Sequence, residues 1–230
     1  MKNPNIKNNA FTFFALAALA CCQATSAFAG ADYASSLKAG DAALETNKDL
    51  ALSEYEAATT QGTSDGATAF AQAKKAYVLA FKFKDYAKAR AAVEEAQKVT
   101  QLSPVAEMTV LQVLAECQMR DEKNYKEAAA NLEKAVALPG NAPAIPYLNL
   151  NLADCYRENG DFQKAIKTCE AVLATPGLPA AAQSAAYFSM AMTYQYGLLD
   201  FENAKKSYTK AGELNPATKE NAKVHLSKMP

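Results

Sequence analysis

The chain of 230 residues holds a single histidine, His225, and no tryptophan. One imidazole cannot build a metal site of the usual kind, which draws on several His, Cys and acidic residues at set spacings. No Ser or Cys has a His placed to serve as its base, so nucleophilic catalysis lacks its second member. Gly62-Thr63-Ser64-Asp65-Gly66 has the composition of a nucleophile or phosphate loop. It lacks the Gly-x-Ser-x-Gly spacing and a following Lys-Ser/Thr pair, and reads as a turn. A non-enzymatic protein without cofactor or metal is expected.

Excess charge is also missing, with 24 Lys and Arg against 24 Asp and Glu. Removal of Lys2 and Lys7 with the first 29 residues would leave 22 against 24, a balance of −2. Nucleic-acid binding depends on a basic stripe that displaces counterions, so that class is excluded. After residue 30 only Cys117, Cys155 and Cys169 remain of five cysteines. An odd, sparse set is no disulfide framework. All three lie in helical patterns and are expected as buried thiols, with a Cys155–Cys169 bridge as the alternative. No alternation of apolar and polar residues is long enough to argue for strands.

The N-terminus has the layout of a secretory signal. Lys2 and Lys7 precede an apolar stretch from Phe11 to Cys22, interrupted by Thr12, and Ala27-Phe28-Ala29 precedes Gly30. Small residues at the two positions a signal peptidase reads predict cleavage after Ala29, giving a signal peptide over 1–29 and a periplasmic protein. A membrane-spanning helix needs about 20 apolar residues, so no integral span is expected. Leu19-Ala20-Cys21-Cys22 also has the spacing of a lipoprotein box. Cys21 stands there where Gly, Ala or Ser is usual, and counting from Cys21 puts Ala18 in place of Leu. A lipid anchor through Cys21 or Cys22, giving an outer-membrane lipoprotein, is therefore the alternative.

What the chain has in abundance is repetition. Four segments align without a gap: Asp85–Ala96, Asn124–Ala135, Asp161–Val172 and Asp200–Ala211. Each opens with Asp or Asn, then an aromatic, then a small residue (Ala89, Ala128, Ala165, Ala204) at intervals of 39, 37 and 39 residues. Asp or Asn accepts hydrogen bonds from the free amides of a new helix, and Asn124 with Glu127 has capping-box spacing. The small residue admits a neighbouring helix, and the positions four and seven further on extend one buried stripe. A fifth, worn copy starts at Asp49 with Leu50, Ser53 and Ala57.

A second helical pattern precedes each copy, as in Leu111, Leu114 and Ala115, in Leu152, Ala153 and Tyr156, or in Tyr187, Ala191 and Tyr194. Breakers separate the units: Ser103-Pro104, Pro139-Gly140 with Pro143, Pro176-Gly177 with Pro179, and Asn215-Pro216. The repeats span about 32–60, 67–101, 104–138, 143–175 and 179–214 within a solenoid over 30–216. Residues 217–230 form a solvating capping helix and tail, with His225 facing water.

Leu152-Ala153-x-x-Tyr156, Gly160-Asp161-Phe162 and Ala165, with Tyr208, Ala211 and Pro216 in the last copy, resemble the tetratricopeptide repeat. The last unit also leans toward Sel1-like repeats. The sequence departs from the family in its longer period, against the family's 34, and in lacking the signature Trp. The resemblance implies an all-α, right-handed superhelical solenoid of about five hairpins plus a C-terminal cap. It also implies a concave face lined by the first helices, where a peptide or protein segment binds. Counting from Ala115, Ala153 and Ala191 places Gln112, Glu116, Met119, Arg120, Tyr147, Leu150, Asp154, Arg157, Phe188, Met192 and Tyr196 on that face. In the second repeat the anchor is Ala76 or Tyr77, and Phe81 faces the groove either way. Aromatic, Met and Arg side chains are enriched where proteins bind one another. The expected function is a protein-interaction scaffold, or alternatively an outer-membrane-anchored subunit of a pilus or outer-membrane assembly machine.

Overall fold

The computed structural model describes residues 31–140 and 142–230. The expected signal segment and both N-terminal cysteines lie outside the described residues. Eleven α-helices and no strand occur among the described residues. They form five antiparallel pairs: α1 (Ala31–Ala43) with α2 (Lys48–Gln61), α3 (Asp65–Val78) with α4 (Tyr86–Ala96), and α5 (Pro104–Cys117) with α6 (Tyr125–Ala137). The fourth and fifth are α7 (Ile145–Glu158) with α8 (Phe162–Leu173) and α9 (Ala180–Met192) with α10 (Phe201–Leu214). The last helix, α11 (Pro216–Leu226), packs on α10 and more lightly on α9.

The second helix of each pair also packs on the first helix of the next, and first helices meet first helices at α3–α5 and α7–α9. Second helices have no comparable contact with one another. That asymmetry curves the stack, with first helices on the inner face and second helices outside. Buried side chains accordingly form four successive clusters, each reaching into the first helix of the following pair. A hairpin of this kind cannot bury its apolar stripe alone, and stacking neighbours completes the core.

Ala89, Ala128, Ala165 and Ala204 are all fully buried, as the repeat required. Asp85, Asn124 and Asp200 accept from the backbone amides of Lys88, Glu127 and Asn203, whereas Asp161 makes no such cap. The Asn124–Glu127 box closes differently from expectation: Asn124 Nδ2 donates to Glu127 Oε2 at 2.8 Å instead of the Glu reaching the Asn124 backbone amide. The first copy is misplaced by two residues. Asn47 is the cap, accepting from Leu50 N, and Ala51, Tyr55 and Ala58 form the buried stripe. Leu50, Ser53 and Ala57 are not in that stripe, and Leu50 is 44 % exposed. Lys48 stands where an aromatic was sought, its ammonium 4.5 Å from the Phe83 ring of the next hairpin.

One residue of the long period has its physical origin in the turns within the hairpins. In the fourth hairpin Gly160, at φ 84°, ends α7 and the Asp161 amide donates to the Tyr156 carbonyl at 2.8 Å. This is a Schellman-type stop. In the second, third and fifth hairpins the first helix instead runs into a π-helical turn: Leu79–Phe83, Gln118–Glu122 and Thr193–Leu198. There the cap amide reaches one residue further back, Asp85 to Leu79, Asn124 to Gln118 and Asp200 to Tyr194, at 2.9–3.0 Å. The π turn absorbs one inserted residue. From the small residue of the first helix to that of the second the step is 12 residues for Ala153–Ala165, and 13 for Ala76–Ala89, Ala115–Ala128 and Ala191–Ala204. The match with the other two assigns Ala76, not Tyr77, as the anchor of the second hairpin.

Candidate interaction face

The inner face is built from the first helices, and most of its charged groups already have partners across the hairpin joints. Lys74 pairs with Asp41 at 2.9 Å and Lys82 with Glu45 at 2.8 Å, tying the first two hairpins. Tyr55, fully buried, donates to the same Asp41. Glu116 takes Lys84 at 3.4 Å and Arg120 at 3.5 Å. Asp154 accepts from Arg157 at 3.3 Å and from Ser189 of α9 at 2.9 Å, while Arg157 also pairs with Glu158. The Arg157 Nε is buried and finds no protein acceptor. Burial opposes the Arg157 charge, but Asp154 and Glu158 more than offset it and hold its pKa above the usual value.

Several residues expected on this face are core residues. Phe81 is 4 % exposed and stacks on Tyr77 with ring centres 4.5 Å apart. Met119 is 2 % exposed within the third hairpin's cluster. Both lie in π turns, where counting at 3.6 residues per turn loses phase. Glu116 is also buried, held in its ion pairs. Gln112 and Arg120 keep partial exposure. Tyr147 and Leu150 pack half-buried against the third cluster, formed by α7, α8 and α9. Phe188 and Met192 line the terminal cluster.

The terminal hairpin holds the feature the sequence concealed. His225 is 7 % exposed, not water-facing. Its ring stacks on Tyr208 with centroids 5.0 Å apart, meets the edge of Phe188 at 5.5 Å, and shares a hydrogen bond of 3.0 Å between Nδ1 and the Tyr196 hydroxyl. Burial, with Lys228 nearby, lowers its pKa from the usual value. Tyr208 is fully buried and donates to Gln195 at 2.9 Å. In one sequence a lone His in a polar helix gives no sign of this, since the aromatic partners lie 17 to 37 residues away.

The thiols of Cys117, Cys155 and Cys169 are free and buried. Burial pushes them up to about 11, about 12 and about 12 respectively, which keeps them protonated and unreactive. No grouping of three or more metal-ligating side chains occurs among the described residues. None of their helices is long and apolar enough to cross a membrane.

Residues 119–186 and 184–218 match family models described as tetratricopeptide repeat. Over residues 119–218 the chain thus carries tetratricopeptide repeats. The model matched over the last unit is thus of the tetratricopeptide type, although that unit also has Sel1-like character in its sequence. Among solved structures the fold is similar to the crystal structure of MamA protein, with 18 % identity and a TM-score of 0.55 over 82 % of this chain and 94 % of that one. No curated protein matches the sequence.

Proposed function

We propose that this chain is a non-catalytic scaffold that holds a protein or peptide segment along its inner face. The observation that carries this is the stack itself: a curved row of first helices offering partly exposed side chains from several hairpins. The contact set is Gln112, Arg120, Tyr147, Leu150, Asp154, Arg157, Phe188, Met192 and Tyr196. Aromatic and Arg anchors supply most binding energy in protein interfaces. The leader-like N-terminus supports a periplasmic location for this activity.

A crosslinked pull-down from a periplasmic fraction, compared with Tyr147→Ala and Phe188→Ala, tests the assignment. Loss of one partner set from both variants, each still folded by circular dichroism, is expected. Recovery of the same partners at wild-type yield contradicts it. The alternative, an outer-membrane-anchored lipoprotein subunit of an assembly machine, is favoured by Leu19-Ala20-Cys21-Cys22. The intact mass of the processed chain separates the two, since a diacylated Cys21 or Cys22 and a free Gly30 amine exclude each other.

A further inference from the structure

α11 packs on the fifth hairpin as the first helix of a further hairpin would. Aligned on their caps, Asn215 and Pro179, His225 of α11 corresponds to Ser189 of α9. Lys74 of α3 stands at the same place, two residues before the small residue of its helix. This position fastens a hairpin to the one before it. Lys74 donates to Asp41 of α1 at 2.9 Å, and Ser189 donates to Asp154 of α7 at 2.9 Å. At the last joint the carboxylate is missing. Met192 stands where Asp154 stands in α7, each directly after the small residue. His225 Nδ1 shares its hydrogen bond with the Tyr196 hydroxyl instead.

The groups around the ring favour its neutral form. Phe188 faces it from α9, Tyr196 from the turn and Tyr208 from α10, while Lys228 follows on its own chain segment. Burial raises the pKa of both tyrosines, so neither supplies a negative charge, and Lys228 opposes a positive one. A neutral imidazole protonated at Nε2 accepts from Tyr196, whereas protonation makes both ring nitrogens donors. The charge would then lie in an aromatic box without an acid. The Tyr208 face attracts a cation, but that attraction does not replace the water lost on burial. The two ends of α11 are held differently. Near its start the buried Ser184 hydroxyl lies 2.7 Å from the Ala211 carbonyl and 3.0 Å from the Thr218 hydroxyl, none of which titrates. Further along, Ala222, Leu226 and Met229 pack with His225 around Phe188, Met192 and Tyr208.

We propose that α11 is a pH-operated strap: neutral His225 holds its second half over Phe188 and Met192, and protonation of the imidazole releases that half while Thr218 keeps the first half in place. Phe188, Met192 and Tyr196 belong to the contact set of the inner face. Acid therefore uncovers one end of that set, and neutral pH covers it. This rests on the scaffold function proposed above and names a regulation of the same face.

His225 is the one histidine of the chain, so its imidazole Cε1–H signal is identifiable by NMR in the untagged protein without a variant. Between pH 7.5 and 5 it is expected to titrate below the ordinary value of about 6.5, and to lose the ring-current displacement of the box in step with protonation. Amide protection at residues 222–226, corrected for the intrinsic exchange rate, should fall a few-fold from pH 7.5 to 5.5, at most about tenfold, while that in α10 holds. An imidazole that titrates at about 6.5 or above, or that keeps its displaced shift once protonated, overturns the strap. Equal loss of protection in α9 and α10 does so too. For the regulation, partner recovery in the crosslinked pull-down should be higher at pH 5.5 than at 7.5 for the unaltered chain and not for His225→Gln. Equal recovery at both values, or the same rise in both chains, overturns the regulation. Recovery of no partner at either value would remove the scaffold function and its regulation together, whereas the imidazole titration decides the strap by itself.

Discussion

Lys84 and Lys123 occupy the left-handed position that closes the second and third hairpin turns, and Leu199 occupies it in the fifth. The backbone is the same in all three places, a π turn whose cap amide reaches back six residues. The second and third turns bear charged groups that pair with adjacent hairpins, and the fifth bears the exposed Leu198 and Leu199. Identical local structure thus fastens one repeat to another by ion pairs in the middle of the stack but not at the fifth turn, where α11 is held by the box around His225.

The largest expected effect lies in that box. Tyr208→Ala removes the ring on which His225 and Phe188 pack and strands the buried Gln195. It should cost about 3–5 kcal/mol in urea unfolding, as large aromatic truncations do. Gly197→Ala should come next. An added Cβ would lie 2.4 Å from the Phe162 ring of the preceding hairpin, so overpacking of about 1–3 kcal/mol is expected. Gly160→Ala has open space at its Cβ but φ 84°, and should lose only about 1 kcal/mol from backbone strain. Comparison of the two by thermal melts separates steric contact between hairpins from local conformation.

The smallest expected effect is a pH dependence confined to the terminal hairpin. The folded state holds His225 below its unfolded pKa, so it binds fewer protons than the unfolded chain in the window beneath about 6.5. The contribution is complete above that value and declines as pH falls through it. Amide protection in α11, corrected for the base-catalysed intrinsic exchange rate, should therefore fall from pH 7.5 to 5.5, while that of α3 and α5 changes little, and His225→Phe should flatten the slope. Equal loss of protection across all hairpins would show that the box around His225 is not the cause.

Four of the five second helices were legible because each opens with Asp or Asn, an aromatic and a small residue at fixed offsets. These are short-range requirements that a repeat shows plainly. The inner face was less so. Inserted residues in the first helices are invisible as insertions until the π turns show where they are absorbed, and a 3.6-residue count then carries Phe81 and Met119 from groove to core. Asn47 was missed as the first cap because Lys48 follows it. Its contact with Phe83 is made across hairpins, and no local pattern encodes it. The burial of His225 was hidden for the same reason: its surroundings come from α9, α10 and the turn between them.

The central claim is that the last joint of the stack is held by a neutral His225 where earlier joints use carboxylates. The NMR titration of the lone imidazole tests it most directly. The account predicts a pKa below the ordinary value of about 6.5, with the ring-current shift lost on protonation. A pKa at about 6.5 or above, or a protonated ring that keeps its displaced shift, would contradict it.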